Sequence, residues 1–597
     1  RGQRRARRSV AVEDLIAQLL EHRIGHRATF DRSKLEVGSH ASLSQALIGL
    51  STGRTICYAS SMSASPHPRI AAPAPGLPSL VATANEPFPL WIESKLPEED
   101  VRAWVTTLAA RDRYDGSRIP LLVDAPQPVP DGESPASVSA LRAAANGERL
   151  WRATAALSRA PQGSTSTRFR LLDLVSGDRC VRRRCLALSK AGSTRLRVAF
   201  ASDLHVAQIW DPIDAALRRH APDLADHYLH PGALFRAFVA EANSLAHRGE
   251  LDLVVLGGDI VDHVHSGIGA DEHHTNVDHF VAMLADLDVP SFAIPGNHDY
   301  RWHPWRPRIY PYESVGLSRS RVADALRREG LWDWSAWRLS DLRALKSRDE
   351  RGASALLPHL RELAPALDYT VRLDEITLTF LSTGRDVLPR WHQVEPGRRR
   401  LLLRALPHSW EHPDSEGLTP QQIERMEKSL AAPTGQAVFF HAPLFNPPPG
   451  ARVERHLARL DPSESGSAAG RARLERQLAR TGLRHGVFFR NPGSVAAALL
   501  SSQRPTAVFS GHVHHAHAIR YDRSSAALQS LPLPFHDADD AAVHLFNAPA
   551  LGQTAMTHGE PPGFLLARFD TGRLASVEVR SLGATGATPR QRAESRT

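Results

Sequence analysis

The sequence predicts an α/β catalytic region preceded by a β-rich one. From Arg195 onward, apolar runs ending in Gly, Asp or His alternate with helical stretches: "LRVAFASDLH", a helix near Pro231 to Arg248, "LDLVVLGGDIVD", a second helix and "PSFAIPGNHDY". Such runs read as buried strands that deliver polar residues at their carboxyl ends. From about Leu80 to Leu188, short runs such as "PLWIES", "RIPLLV", "RFRLLDLV" and "RCLALS" are separated by Pro, Gly, Ser and Asp clusters instead. That texture favours strands and turns over long helices, and a small β-sandwich is expected there.

The chain has 597 residues, more than one hydrophobic core sustains, so two or three domains of roughly 100 to 200 residues each are expected. Residues 12 to 24 carry a short amphipathic pattern, and "SASPHPRIAAPAPGLPSL" (Ser63 to Leu80) reads as a proline-dense linker. The expected organisation is a helical segment and linker over 1–75, an accessory β-sandwich over 76–192 and a catalytic domain over 193–583. Stretches near 301–365, 391–418 and 446–502 exceed the roughly 4 to 6 residues of ordinary connections and read as insertions around a site. The Ala/Thr/Arg-rich tail, 584–597, is expected to be disordered.

Hydrophobic content of 42% and charged content of 23% are those of a globular protein. No apolar stretch approaches the roughly 18 residues a membrane helix needs. The net charge of +9 comes mostly from arginines scattered through an Ala/Pro/Gly-rich sequence, which reads as compositional bias. Runs such as "VRRRC" and "GRRRLLLR" fit solvated faces better than nucleic-acid stripes, though a basic face still steers phosphates. Cys57, Cys180 and Cys185 form neither a disulfide framework nor a zinc motif. Their scarcity, with no continuous apolar leader, leans towards a cytoplasmic location. The chain does not begin with Met, which leaves a removed leader open.

Five blocks follow one another at strand ends: Asp203-Leu204-His205, Gly257-Gly258-Asp259, Gly296-Asn297-His298-Asp299, His441, and Gly511-His512-Val513-His514. Singly, each reads as turn, cap or buried polar residues. Together they supply carboxylate oxygens, an amide oxygen and imidazole nitrogens without thiolate, a donor set suited to manganese, iron, zinc, nickel or cobalt. Two metal ions fit so many donors better than one. In an extended segment Asp203 and His205 point the same way, as do His512 and His514, so two same-facing pairs are expected to converge. His515 and His517 fall outside that alternation and read as surface residues or neighbours of the site, as do His263 and His265.

This ordered set resembles the calcineurin-like metallophosphoesterase superfamily, whose pattern is D-x-H, G-D, G-N-H-D/E, H and G-H-x-H. All five blocks match, over about Arg195 to Leu582. The resemblance implies a layered αββα sandwich of two mixed sheets flanked by helices. It also implies a dinuclear centre, with one ion on Asp203, His205, Asp259 and His514 and the other on Asp259, Asn297, His441 and His512. Asp259 would bridge. His298 would bind phosphate and donate a proton, with Asp299 orienting it. Hydrolysis would run through a hydroxide shared by the two ions, attacking phosphorus in line with the departing alkoxide. A β-rich domain ahead of the catalytic one is reminiscent of purple acid phosphatases, but His205 in the first block departs from that group's tyrosine arrangement.

The stretch "YRWHPWRPRIYPY" after the third block admits two readings. Its aromatics and arginines either stack a base and clamp a phosphate or anchor a proline-fixed loop. On the first reading Arg301 joins Asn297 and His298 in binding substrate. A phosphodiester such as a cyclic nucleotide is then slightly favoured over a monoester. The alternatives are a DNA or RNA nuclease of the same superfamily, nucleic acid being the less favoured partner, and a non-catalytic binding module.

Overall fold

The β-rich region is built from nine strands, β1 (Arg69–Ala72), β2 (Ser79–Val81), β3 (Phe88–Ser94), β4 (Leu108–Asp112), β5 (Arg118–Val123), β6 (Gln127–Pro128), β7 (Arg149–Leu157), β8 (Phe169–Ser176) and β9 (Arg179–Ser189). The structure, a computed structural model, describes residues 68–129, 149–162, 165–190, 194–265, 275–301, 317–332, 356–384, 417–445, 491–536, 538–552 and 561–582. The expected helical segment at 12–24, Cys57, most of the three insertions and the tail 584–597 lie outside the described residues.

The nine strands run in the hydrogen-bonded order β1-β3-β7-β5-β4-β8-β9-β2, with β6 on β7. Because β5 pairs with both β4 and β7, they form one continuous sheet where two sandwich sheets were expected. Its inward residues, among them Ile70, Leu90, Ile92, Trp151, Leu172 and Leu174, share one core. The alternation of "RLWRATAAL" along β7 is that of a strand with one buried face.

The proline-dense stretch departs from the free linker the sequence suggested. β1 begins inside it, and Ala74 and Leu77 close a tight turn through reciprocal backbone bonds of 3.1 and 3.0 Å. Gly76 then bonds to Leu363 and Ala293, each at 2.8 Å. Fixed φ at successive prolines lowers the entropy of the unbound chain, so a proline-rich stretch is as suited to docking as to spacing. Buried arginines complete the contact. Arg184 donates to the carbonyls of Leu284, at 2.9 Å, and Val289, while Arg182 reaches Ile70 O at 2.7 Å and Glu362 at 3.2 Å.

The catalytic region comprises β10 (Arg195–Ala201), β11 (Leu253–Leu256), β12 (Ser291–Ala293), β13 (Tyr369–Leu373), β14 (Ile376–Phe380), β15 (Gly435–Phe439), β16 (Thr506–Ser510), β17 (His517–Asp522), β18 (Leu528–Leu531), β19 (Phe535–His536), β20 (Ala542–Asn547), β21 (Gly563–Asp570) and β22 (Arg573–Ser581). They form two mixed sheets, in the orders β12-β11-β10-β21-β22-β19 and β13-β14-β15-β16-β20-β17-β18. β10, β11 and β12 are parallel, as are β14, β15, β16 and β20.

Alternation sorts the two faces. Along β10, Val198 and Phe200 face the core between the sheets, and Ala199 and Ala201 face the helices outside. The inter-sheet core is a stack of phenylalanines: Phe439 lies 5.2 Å from Phe509 and 5.8 Å from Phe200 between ring centroids. Truncating one such ring to alanine costs about 3–5 kcal/mol. Helices Pro231–His247 and Asn276–Leu284 cover the first sheet, and helices Pro420–Leu430 and Pro492–Ser501 the second. Thr275 with Asp278 and Thr419 with Gln422 start two of these helices with capping boxes. The layers are therefore the αββα sandwich the resemblance implied. Helix Pro492–Ser501, within a stretch expected to be an insertion, is one of its layers. Among the described residues no helix is long and apolar enough to cross a membrane.

Candidate metal centre

β10, β11, β15 and β16, with the turn after β12, present their carboxyl ends on one side of the sandwich, where ligands of open α/β sheets collect. The motif residues begin where the strands stop. β10 ends at Ala201 and β16 at Ser510. Asp203, His205, Asp259, His512 and His514 all adopt left-handed backbone, with φ of +56°, +48°, +50°, +67° and +54°. Such conformations cost non-glycine residues about 1–3 kcal/mol each and persist where the surroundings over-determine them. Here the bonds Asp203 N–H to Gly258 O (3.0 Å), His205 N–H to Asp259 O (2.9 Å) and Gly511 N–H to His441 O (2.9 Å) do so. Gly296 is needed because a Cβ there would overlap the backbone of Asp259.

The expectation of extended alternation is thereby corrected. The left-handed turns send His512 and His514 to different neighbours. Asp203, His205 and His514 form one group of candidate ligand atoms, Asp259, His441 and His512 another, and His205, Asp262 and His298 a third that shares His205 with the first. In the first, His514 Nε2 is 3.1 Å from Asp203 Oδ1. In the second, His441 Nε2 lies 3.1 Å from Asn297 Oδ1, 3.2 Å from His512 Nδ1 and 3.3 Å from Asp259 Oδ1. The two oxygens of Asp259 face different groups, Oδ1 towards His441 and Oδ2 towards His205, 3.7 Å away.

These donors fit metal ions. His441 Nδ1 lies 2.9 Å from the carbonyl of Gly257, which can only accept, so that nitrogen carries a proton and Nε2 is left facing Asn297, His512 and Asp259, where a proton or a metal ion would sit. Neither ring nitrogen of His205, which is 1% exposed, makes a hydrogen bond. Converging lone pairs of this kind call for a cation. The electrostatics agree. Burial opposes charge on His441, but Asp259 and Asp203 outweigh it and push the imidazole up to about 10. Burial likewise works against the Asp203 and Asp259 carboxylates, and the surrounding imidazoles hold both below the usual range.

His298 stands beside both groups, with Nε2 3.9 Å from Asp259 Oδ2. Its Nδ1 lies 3.0 Å from Asp262 O and 3.1 Å from Asp262 Oδ1. Arg301 sets its guanidinium 3.0 and 3.2 Å from the two ring nitrogens. Burial first, and then Arg301, lower the pKa of His298. The expected partner, Asp299, is engaged elsewhere. Its carboxylate accepts backbone N–H from Gly296 (2.7 Å), Val261 (3.0 Å) and Ile260 (3.2 Å), knitting the second and third blocks together. Burial and then the charge of Asp259 push it up to about 7. The orienting contact expected of Asp299 is therefore made by Asp262.

Asp262 is the site residue that sequence reasoning missed. It also faces His205 Nδ1 at 3.6 Å and His263 Nδ1 at 3.2 Å. Its signal was present as the second aspartate of "GGDIVD", three residues after Asp259. His263, His515 and His517 are buried, so of the two expected readings they are neighbours of the site and not surface residues. Asn547 donates to His515 O at 2.8 Å, and His517 Nδ1 lies 3.1 Å from the same carbonyl, so both support the turn that carries His514. His265 lends its backbone, pairing with Thr275. Trp302, His303, Trp305 and Arg306 lie outside the described residues.

Two adjoining groups of buried and part-buried carboxylates and imidazoles, at the ends of two facing mixed sheets, make a candidate dinuclear metal site. Residues 196–347 match the family of calcineurin-like phosphoesterases. Over that stretch the chain resembles a calcineurin-like phosphoesterase domain, and the match supports a hydrolase acting on phosphoric ester bonds. The matched stretch holds the first three blocks, and His441, His512 and His514 lie beyond it. No curated protein sequence matches the chain. Among solved structures, the chain is similar to a purple acid phosphatase from yellow lupin (11% identity, TM-score 0.39, covering 87% of this chain and 72% of that one). It is also similar to a dimetal phosphatase from Danio rerio (13%, 0.29, 64% and 99%) and to PhoD (11%, 0.34, 85% and 90%). None of the three scores reaches 0.5.

Proposed function

We propose that the protein hydrolyses a phosphodiester, with Asp203, His205, Asp259 and His514 holding one metal ion and Asp259, Asn297, His441 and His512 the other. Such a pair supplies charge for the phosphoryl oxygens and lowers the pKa of an attacking water towards about 7. The observation that carries the proposal is the proximity of His298 to both donor groups, with Arg301 over its ring. His298 would protonate the departing alkoxide, general acid catalysis being worth typically about 10²- to 10⁴-fold. Asp262 would hold the imidazole by Nδ1, and Nε2, which lies 3.2 Å from Arg301, would turn to the substrate. Arg301 adds one positive charge, which suits the single negative charge of a diester, and a cyclic nucleotide is the favoured form.

The test is a panel of p-nitrophenyl phosphate, its bis-ester, cyclic nucleotides and single-stranded DNA, run with manganese, iron, zinc, nickel or cobalt. Faster turnover of the bis-ester and of a cyclic nucleotide than of the monoester is expected. A monoester preference would overturn the diester assignment, and cleavage of DNA would make the protein a nuclease. Inactivity on every ester with two metals bound would point to a binding module.

A further inference from the structure

We propose that Trp210 is a positioning residue for the metal centre, holding His205 through its backbone and coupling it to the helical segment Leu317–Trp332. The indole N–H of Trp210 donates to the carbonyl of His205 at 2.9 Å. On the other side, the N–H of His205 donates to Asp259 O, also at 2.9 Å. His205 is thus held by both its peptide groups while its backbone sits at φ +48°. A residue in that region relaxes by rotating its peptide planes, and any such rotation swings the imidazole away from Asp203 and His514. The indole bond opposes that rotation at the carbonyl.

Trp210 takes its own position from elsewhere. It is 3% exposed and packs with Ile213, Leu217, Val322, Leu326 and Trp332 in a cluster distinct from the inter-sheet core. Two helices build that cluster, Trp210–His220 and Arg319–Arg328, the second lying within the stretch expected to be an insertion. They are tied at their ends by His220 to Glu329, at 2.6 Å, and by Arg321 to Asp223, at 2.7 Å. The insertion therefore buttresses a candidate ligand from behind. Groups that orient a metal-binding histidine from outside the ligand set change metal affinity by about 10- to 100-fold when removed.

The inference rests on His205 holding a metal ion, so His205→Ala is the control, and its retention of both ions would defeat the metal-centre reading itself. In the full-length metal-loaded protein, Trp210→Phe keeps most of the ring and removes the N–H. Chelator competition followed by metal analysis should show one of the two ions bound about 10- to 100-fold more weakly and the other unchanged. The melting temperature of the chelated protein should stay close to wild type. Leu326→Ala, which loosens the cluster without touching the bond, should lower that melting temperature and weaken the same ion less. Wild-type affinity for both ions in Trp210→Phe would overturn the proposal. So would equal weakening of both ions with a fall in the chelated melting temperature, which would make Trp210 a packing residue alone.

Discussion

Nδ1 of His298 lies 3.1 Å from Oδ1 of Asp262, while Asp299, its neighbour in sequence, directs its carboxylate to three backbone N–H groups. The two aspartates therefore fail differently when removed. Asp262→Asn is expected to lower kcat by about 10²-fold, the low end of what general acid catalysis contributes, with little change in melting temperature. Asp299→Ala strands three buried donors at about 1–3 kcal/mol each and should show first as lost stability. Steady-state kinetics and thermal melts of the two variants check this, and the opposite ranking would return the orienting role to Asp299.

His298→Ala should retain both metal ions if, as proposed, the imidazole is held by Asp262 and serves as the acid, although His298 also stands with His205 and Asp262 in a third group of candidate ligand atoms. Turnover should fall by about 10²- to 10⁴-fold. The loss should be greatest for esters with poor leaving groups, which most need the proton. A leaving-group series measured beside metal analysis tests both halves, and loss of an ion would show His298 to be a ligand.

The histidines of "GHVHHAH" divide by contact. His514 Nε2 lies 3.1 Å from Asp203, whereas His517 begins β17 and faces the carbonyl of His515. His514→Ala is expected to lose one ion on dialysis against a chelator. His517→Ala should keep both and melt at a lower temperature, because a buried side chain is truncated at a cost of roughly 1–3 kcal/mol. Loss of an ion from His517→Ala would contradict this division.

Acid should destabilise the protein through His359. This residue is 1% exposed, neither ring nitrogen has a hydrogen-bond partner, and burial pushes its pKa down to about 3. The unfolded chain binds the proton from about pH 6.5. The lowered folded pKa thus contributes stability that is complete above about 6.5 and is lost as the pH falls from there towards 3, by at most several kcal/mol at about 1.4 per pH unit. Melting temperatures of wild type and His359→Leu, compared at pH 7.5 and 5, should show a shallower fall in the variant. Equal slopes would exclude His359 as the acid-sensitive group.

Much of the site was legible because its residues are strand-end neighbours. Asp203, Asp259 and His441 each follow an apolar run whose length and β-branched content announce a buried strand. The αββα sandwich was implied by the resemblance alone; that Phe200, Phe439 and Phe509 meet between the two sheets is seen only in the structure. What escaped was the partner of His298. Asp262 is 36 residues from it in the chain, and only the side-by-side arrangement of β11 and β12 brings the two turns together. Nor does a proline-dense stretch declare whether it spans solvent or, as Gly76 does, bonds the edge of a neighbouring sheet.

The sequence by itself determined which atoms are available for metal and in what order they arrive, because donor chemistry belongs to each side chain and strand periodicity to its neighbours. The tertiary structure alone decided how the donors divide. His512 and His514 part company because left-handed turns, which no periodicity encodes, are held in place by hydrogen bonds from segments distant in the chain, such as Asp203 Oδ2 accepting from His512 N–H across 309 positions.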